Sequence, residues 1–268
     1  VYTIAFVTDG SADDRFQSLR KGMEKAAKKW NVDLVVDAPY LSGNAAEQEA
    51  AIEEAVENGA QAVITVPADQ VQMEKFLDQS KLQVPVITLE KELHSEKKFG
   101  AYICDSEKSA KKLARAVLEE KKDASVALYA SDVSAKETAN CLDILEKELE
   151  DGGCTVIRRQ YRQGFEIEGE VVVAADPYTF SQIVNLQKIP DRLYGIGCSN
   201  KMLTLLEEGK VCAAVICNEY DKGYLSVEAA MKSIQNGTRQ RTVKMEQVLV
   251  RQENLYDKEY EALLFPIS

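Results

Sequence analysis

The chain has 268 residues, 45% of them hydrophobic and 29% charged, with a formal net charge of -11 and a pI near 4.9. That length predicts one large or two medium domains with a sizeable core, and the composition excludes a disordered chain. The acidic field repels phosphate backbones and anionic lipid, so nucleic acid is not an expected partner.

In chain order the pattern alternates strand and helix. Tyr2–Val7 is β-prone, the loop Asp9–Asp14 is small or acidic, and Phe16, Leu19, Met23, Ala26, Ala27 and Trp30 recur at helical spacing. "DLVVDA" predicts a strand, and Ala45–Asn58 a helix stopped by Gly59. "QAVITVPAD", "VPVITLE" and "FGAYICD" are further strands, with a helix through Val71, Phe76 and Leu77 after the first of them. A second series starts at Asp105, where Ser106 is an expected helix cap. "SVALYA" follows, and Ser134 with Glu137 has the spacing of a capping box opening a helix to Leu149. "CTVIRR", "GEVVVAAD", "RLYGIG" and "CAAVIC" add strands, "GYLSVEAAMKSIQNG" a helix ending at Asn236-Gly237, and "EQVLVRQ" a last strand. Strand–helix alternation predicts parallel sheets covered on both faces. "AVITVPADQVQMEKFL" and "EVVVAADPYTFSQIVNL" share the order strand, Ala-Asp, helix, which favours two similar α/β lobes over one wide sheet.

Signals for chemistry are few. The one histidine, His94, lies in the polar stretch "KELHSEKKF" and reads as a solvated surface residue, leaving a nucleophilic mechanism without a base. No group of residues has metal-ligand spacing and no phosphate loop occurs; neither a metal nor a cofactor is expected. "YGIGCSNKM" begins like a dinucleotide fingerprint, but Asn200 replaces the third glycine, so an ordinary strand-to-helix turn is expected. An enzyme is therefore not expected. Six scattered cysteines (Cys104, Cys141, Cys154, Cys198, Cys212, Cys217) read mainly as buried free thiols, with a disulfide open in an oxidising compartment.

What remains are polar strand ends: Asp9 and Asp13, Asp69, Glu90 and Lys91, Asp105, Asp176, Ser199–Asn200 and Cys217–Tyr220. In a parallel sheet such ends line one edge, and two facing edges make a polar cleft.

At this point "IAFVTDGSADDRFQSLRKGMEKAA", "EQEAAIEEAVENGAQAVITVPAD", "VPVITLEKE" and "VICNEYDKGYLSVEAAMKSIQNG" resemble, in order and spacing, the sugar-binding type I periplasmic binding proteins, relatives of LacI-type repressor effector domains. The resemblance implies two doubly wound parallel-sheet lobes joined by a three-segment hinge near Cys104–Asp105, Cys217–Asn218 and Met245–Val248. The expected lobes are 1–104 plus 219–244 and 105–218 plus 245–268. It implies an extracytoplasmic protein, anchored to a membrane through a removed N-terminal segment, that closes on a small polar ligand. Its partners would be an ABC permease or a sensor kinase, and it would act as a monomer. The alternative is a repressor effector domain lacking its DNA-binding headpiece.

The expected ligand-binding set is Asp9, Asp13, Arg15, Phe16, Asp69, Glu90, Lys91, Asp105, Asp176, Tyr178, Asn200 and Cys217. Several family positions are altered. Arg15 precedes Phe16 where two stacking aromatics are common, Glu90–Lys91 replaces an Asp-Arg pair, and Gly195–Ile196–Gly197 replaces Gly-Phe-Asp. A standard sugar and a different polar solute are both expected candidates.

Overall fold

A computed structural model describes residues 1–10 and 16–266. The first five strands are β1 (Tyr2–Val7), β2 (Val32–Asp37), β3 (Ala62–Thr65), β4 (Val86–Leu89) and β5 (Lys98–Cys104). Between them run α1 (Gln17–Trp30), α2 (Ala45–Glu57) and α3 (Gln70–Gln79). The second series comprises α4 (Ser106–Glu120), β6 (Ser125–Ala130), α5 (Lys136–Asp151), β7 (Thr155–Gln160), β8 (Val171–Ala174), α6 (Pro177–Val184), β9 (Leu193–Ile196), α7 (Asn200–Glu207) and β10 (Ala213–Cys217). The chain closes with α8 (Glu219–Asn236), β11 (Val243–Met245), β12 (Gln247–Val250) and α9 (Lys258–Leu264).

The strands form two six-stranded sheets, ordered β11-β5-β4-β3-β1-β2 and β12-β10-β9-β8-β6-β7. The first is parallel throughout, whereas β12 runs antiparallel to β10 in the second. β3, β4, β8 and β9 are buried along their whole length, which explains their unbroken apolar runs: helices cover both faces. The edge strands β2 and β7 are largely exposed and carry the polar alternation instead.

Each sheet has a core on both faces. In the first, Ile4, Phe6, Leu19, Met23 and Met231 pack on one side, and Val7, Ile52, Met73 and Leu77 on the other. α8 follows the second series in sequence, yet it packs on α1. The approach is close enough that a Cβ on Gly22 would collide with the Tyr220 carbonyl, and one on Gly223 with that of Leu19. Glycine is needed at both positions for contact, not for dihedral freedom.

Helix ends show where local reading succeeded and failed. α8 stops at Gly237, whose φ of 65° is left-handed. α4 is capped by Asp105, whose carboxylate accepts from the Lys108 N–H, and not by the expected Ser106. The Ser134/Glu137 capping box does not form. α5 begins at Lys136 with Ala135 at its cap, Ser134 donates to Asp132, and Glu137 is engaged elsewhere.

Three segments carry the chain between the lobes, at 104–106, 217–219 and 245–247. They are tied to one another. The Asn218 N–H donates to Glu246 O at 3.1 Å, and Gln247 Nε2 to Asp105 O at 3.1 Å. Ser109 Oγ donates to Gln247 Oε1 at 3.0 Å. Cys104 and Cys217, with Cα atoms 6.1 Å apart, form a disulfide, which corrects the free-thiol expectation for these two cysteines. The reason is topological: β5 and β10 leave their sheets side by side. Cys141, Cys154 and Cys212 are not in a disulfide among the described residues.

Candidate ligand-binding cleft

Each wall of the cleft is built by strands that end in polar turns. In the first lobe, the buried Gln48 of α2 organises two of these turns. Its Nε2 donates to Thr8 O and Val66 O, both at 2.8 Å, and its Oε1 accepts from the Ala68 N–H at 2.9 Å. A fully buried amide is tolerated because it is fully satisfied. The turn after β1 thereby presents Asp9, and the turn after β3 presents Asp69, which caps α3 through the Gln72 N–H. After β4 the chain kinks at Glu90, whose φ of 65° is left-handed, and the Lys91 N–H closes onto Leu89 O at 2.7 Å. A non-glycine residue in that region costs free energy and tends to mark functional turns.

In the second lobe, Ser131 and Asp132 follow β6, and Asp176 follows β8. Asp176 caps α6 through the Thr179 N–H and also accepts from the Ser131 N–H, each at 2.8 Å. It thus fixes one turn against the next.

Between the walls lies a cavity of about 450 Å³ lined by both lobes. Asp9, Asp69, Glu90, Lys91 and Lys222 come from one side, and Ser131, Asp132, Glu137, Asp176 and Tyr178 from the other. Cys104 borders it at the hinge, and Cys141 and Ile196 contribute apolar surface. Burial, with Asp176 nearby, pushes the Cys141 thiol up to about 12, so it lines the cavity as an apolar group.

The lobes also touch directly at the cleft's rim. Lys91 Nζ reaches Asp132 at 2.8 Å and also Pro67 O at 2.9 Å. Gln70 Nε2 donates to Glu137 at 3.1 Å, and Gln70 Oε1 accepts from the Lys136 N–H at 2.8 Å. Glu137 accepts from the Glu92 N–H at 2.8 Å. Burial disfavours charge on Asp132, but Lys91, Ser134 and the Ala135 N–H outweigh it and hold the carboxyl below the usual aspartate range.

Of the expected residues, Asp9, Asp69, Glu90, Lys91, Asp176 and Tyr178 line the cavity. Four do not. Phe16 is buried in the first lobe's core, edge-on to Phe6 with ring centroids 6.1 Å apart, because it enters α1 from the sheet side. Asp105 is consumed as the cap of α4 beside the hinge. Asn200 opens α7 and donates to Gln17 of the first lobe at 2.5 Å, a contact between the lobes, but it is not among the residues that line the cavity. Cys217 is held in the disulfide, and its partner Cys104 faces the cleft instead. Asp13 and Arg15 lie outside the described residues. His94 is exposed, as expected, and not part of the cleft. The first glycine of "YGIG" serves packing, since a Cβ on Gly195 would run into the Phe180 ring, whereas Gly197 has a positive φ of 133°.

Sequence reasoning missed Asp132, Glu137 and Lys222 as cleft residues. The strand-end argument, extended to β6, points to Ser131-Asp132. Lys222 lies in the first turn of a helix with only its i−3 partner Glu219, 2.8 Å away, as a local cue.

The profile of the periplasmic binding protein domain matches residues 4–185. The chain belongs to that family. Its fold is shared with a carbohydrate transporter solute-binding protein from Agrobacterium radiobacter in complex with D-arabinose, with a TM-score of 0.82, 17% identity and coverage of 98% of both chains. A solute-binding protein from Bacillus halodurans with bound myo-inositol gives a TM-score of 0.78, 17% identity and coverage of 97% of both chains. A glucose-galactose binding protein from Geobacillus stearothermophilus gives 0.78 and 17%, over 96% of this chain and 99% of that one. A search of curated proteins returns no significant match. At such identities the solved structures establish a common architecture and no common ligand.

Proposed function

We propose that this protein is an extracytoplasmic solute-binding protein that captures one small polar molecule, of carbohydrate or polyol character, between its lobes. The observation that carries this reading is the 450 Å³ cavity, bounded by strand ends of both sheets and closed at the rim by direct contacts. Its size suits one small solute. A ligand touching both walls favours the closed arrangement over an open one, so binding and closure are one equilibrium. D-arabinose and myo-inositol in proteins of the same fold support a polyhydroxylated ligand.

In this reading the lobes comprise 1–104 plus 219–244 and 105–218 plus 245–268. The closed monomer presents its surface to an ABC permease or to a sensor kinase, and the protein is held at the membrane. The hinge disulfide supports an oxidising compartment and weighs against an intracellular repressor domain.

A thermal-shift panel of pentoses, hexoses, inositols, amino acids and nucleosides tests the reading. A true ligand at 100 times its Kd adds about 2.7 kcal/mol of stability. A protein that responds to amino acids or nucleosides but to no polyol contradicts the carbohydrate assignment.

A further inference from the structure

We propose that the cleft selects a cationic polyol, a compound of the amino-sugar class, over neutral sugars and sugar acids. The proposal rests on the solute-binding reading and sharpens it.

The first ground is charge. Six carboxylates line the cavity (Asp9, Asp69, Glu90, Asp132, Glu137 and Asp176), against two ammonium groups, Lys91 and Lys222. Both ammonium groups already hold carboxylates at 2.8 Å: Lys91 has Asp132 and Lys222 has Glu219. The sign does not depend on residues 11–15, which carry two aspartates and one arginine. Even if only Arg15 faced the cavity, the lining would keep an excess of negative charge. A cavity between low-dielectric walls focuses that field, and the net charge of -11 on the chain steers cations toward it.

The second ground is the state of the helix ends. In binding clefts a helix N-terminus is a ready anion site, because its first N–H groups are unpaired and its dipole is positive. Here α3, α4 and α6 are capped by Asp69, Asp105 and Asp176, whose oxygens accept from the Gln72, Lys108 and Thr179 N–H groups. Each cap takes one donor of its helix and sets a negative charge at the positive end. An anionic solute would meet carboxylates where it needs donors.

The third ground is the scarcity of aromatic surface. Among the described lining residues Tyr178 is the one aromatic, and residues 11–15 contain none. Phe16, the other aromatic near the first strand end, is spent in the core. A neutral pyranose gains much of its affinity from apolar faces stacked on rings. An ammonium gains instead from charge-assisted hydrogen bonds to carboxylates, which are stronger than neutral ones.

Calorimetric titration at pH 7 of D-glucose, D-glucosamine and D-glucuronate, and of D-galactose, D-galactosamine and D-galacturonate, tests this. The expected result is at least tenfold tighter binding of the amine than of its neutral parent in one series, with no binding of either acid. That preference should shrink as sodium chloride is raised, since the interaction is charge-driven. Glu90→Gln should cut the amine's advantage over its neutral parent about tenfold. A neutral or acidic sugar binding as tightly as the amine overturns the charge inference while leaving the solute-binding reading intact. Failure of all six compounds to bind counts against both.

Discussion

The two lobes are joined in two ways that differ in kind. At the hinge, three chain crossings are tied by a disulfide, by the Asn218–Glu246 backbone bond and by Gln247, which reaches both Asp105 O and Ser109. At the rim they are joined by side chains alone: Gln70 and Glu137 trade bonds with backbone N–H groups across the gap, and Lys91 meets Asp132. Covalent and main-chain links persist until the fold melts. Side-chain hydrogen bonds, each worth about 1 kcal/mol net in water, exchange with solvent readily. The contrast predicts the motion: the rim should part while the hinge flexes without separating.

The largest effect comes from attacking the hinge. Cys104 and Cys217 are separated by 113 residues, and closing a loop of that order stabilises a fold by about 5 kcal/mol through the unfolded chain. Chemical denaturation of the Cys104→Ser, Cys217→Ser double variant should show a loss of that order, as should the wild type under a dithiol reductant. An unchanged midpoint would remove the hinge's special standing.

A smaller effect follows from cutting the rim's ion pair. Lys91→Met leaves the half-buried Asp132 carboxylate without its cation and should cost on the order of 1–3 kcal/mol. The pair also has a pH signature. Asp132 is held below its unfolded value, so its contribution is complete above about pH 4 and disappears as pH falls through the folded-state value. The wild type should lose stability faster than Lys91→Met in that acid window. Parallel pH curves would mean that the pair contributes nothing.

The smallest expected change in stability comes from Glu137→Ala, which deletes two bonds across the gap where both sides can rehydrate. Its stability should fall by about 1 kcal/mol or less, while solute affinity falls several-fold because the closed population shrinks. Unaltered affinity would show that the rim does not govern closure.

How much of this was readable in the sequence depended on range. Strand–helix alternation, the Ala-Asp repeat after β3 and β8, and the glycine stop after α8 are local patterns, and they foretold the two lobes. Asp69 and Asp176 were legible for the same reason, as polar residues where a strand ends and a helix begins. Long-range pairings carried no such signal. Nothing in the spacing of Cys104 and Cys217 marks them as partners, because their meeting depends on where β5 and β10 leave their sheets. Glu137, three residues after Ser134, imitates a local capping box, yet a contact with the other lobe takes its carboxylate. Phe16 follows a polar strand-end loop, where a stacking ring and a core residue look alike. Only the direction from which α1 meets the sheet separates them.

Amide hydrogen exchange resolved by NMR tests the central contrast most directly. The Glu92 and Lys136 N–H groups are bonded to side chains of the opposite lobe, whereas the Asn218 N–H is bonded to the hinge carbonyl of Glu246. The expected result is that Glu92 and Lys136 exchange through a low-energy opening, while Asn218 exchanges only with global unfolding. Equal protection at all three, or an Asn218 amide that opens together with the rim, would contradict the account.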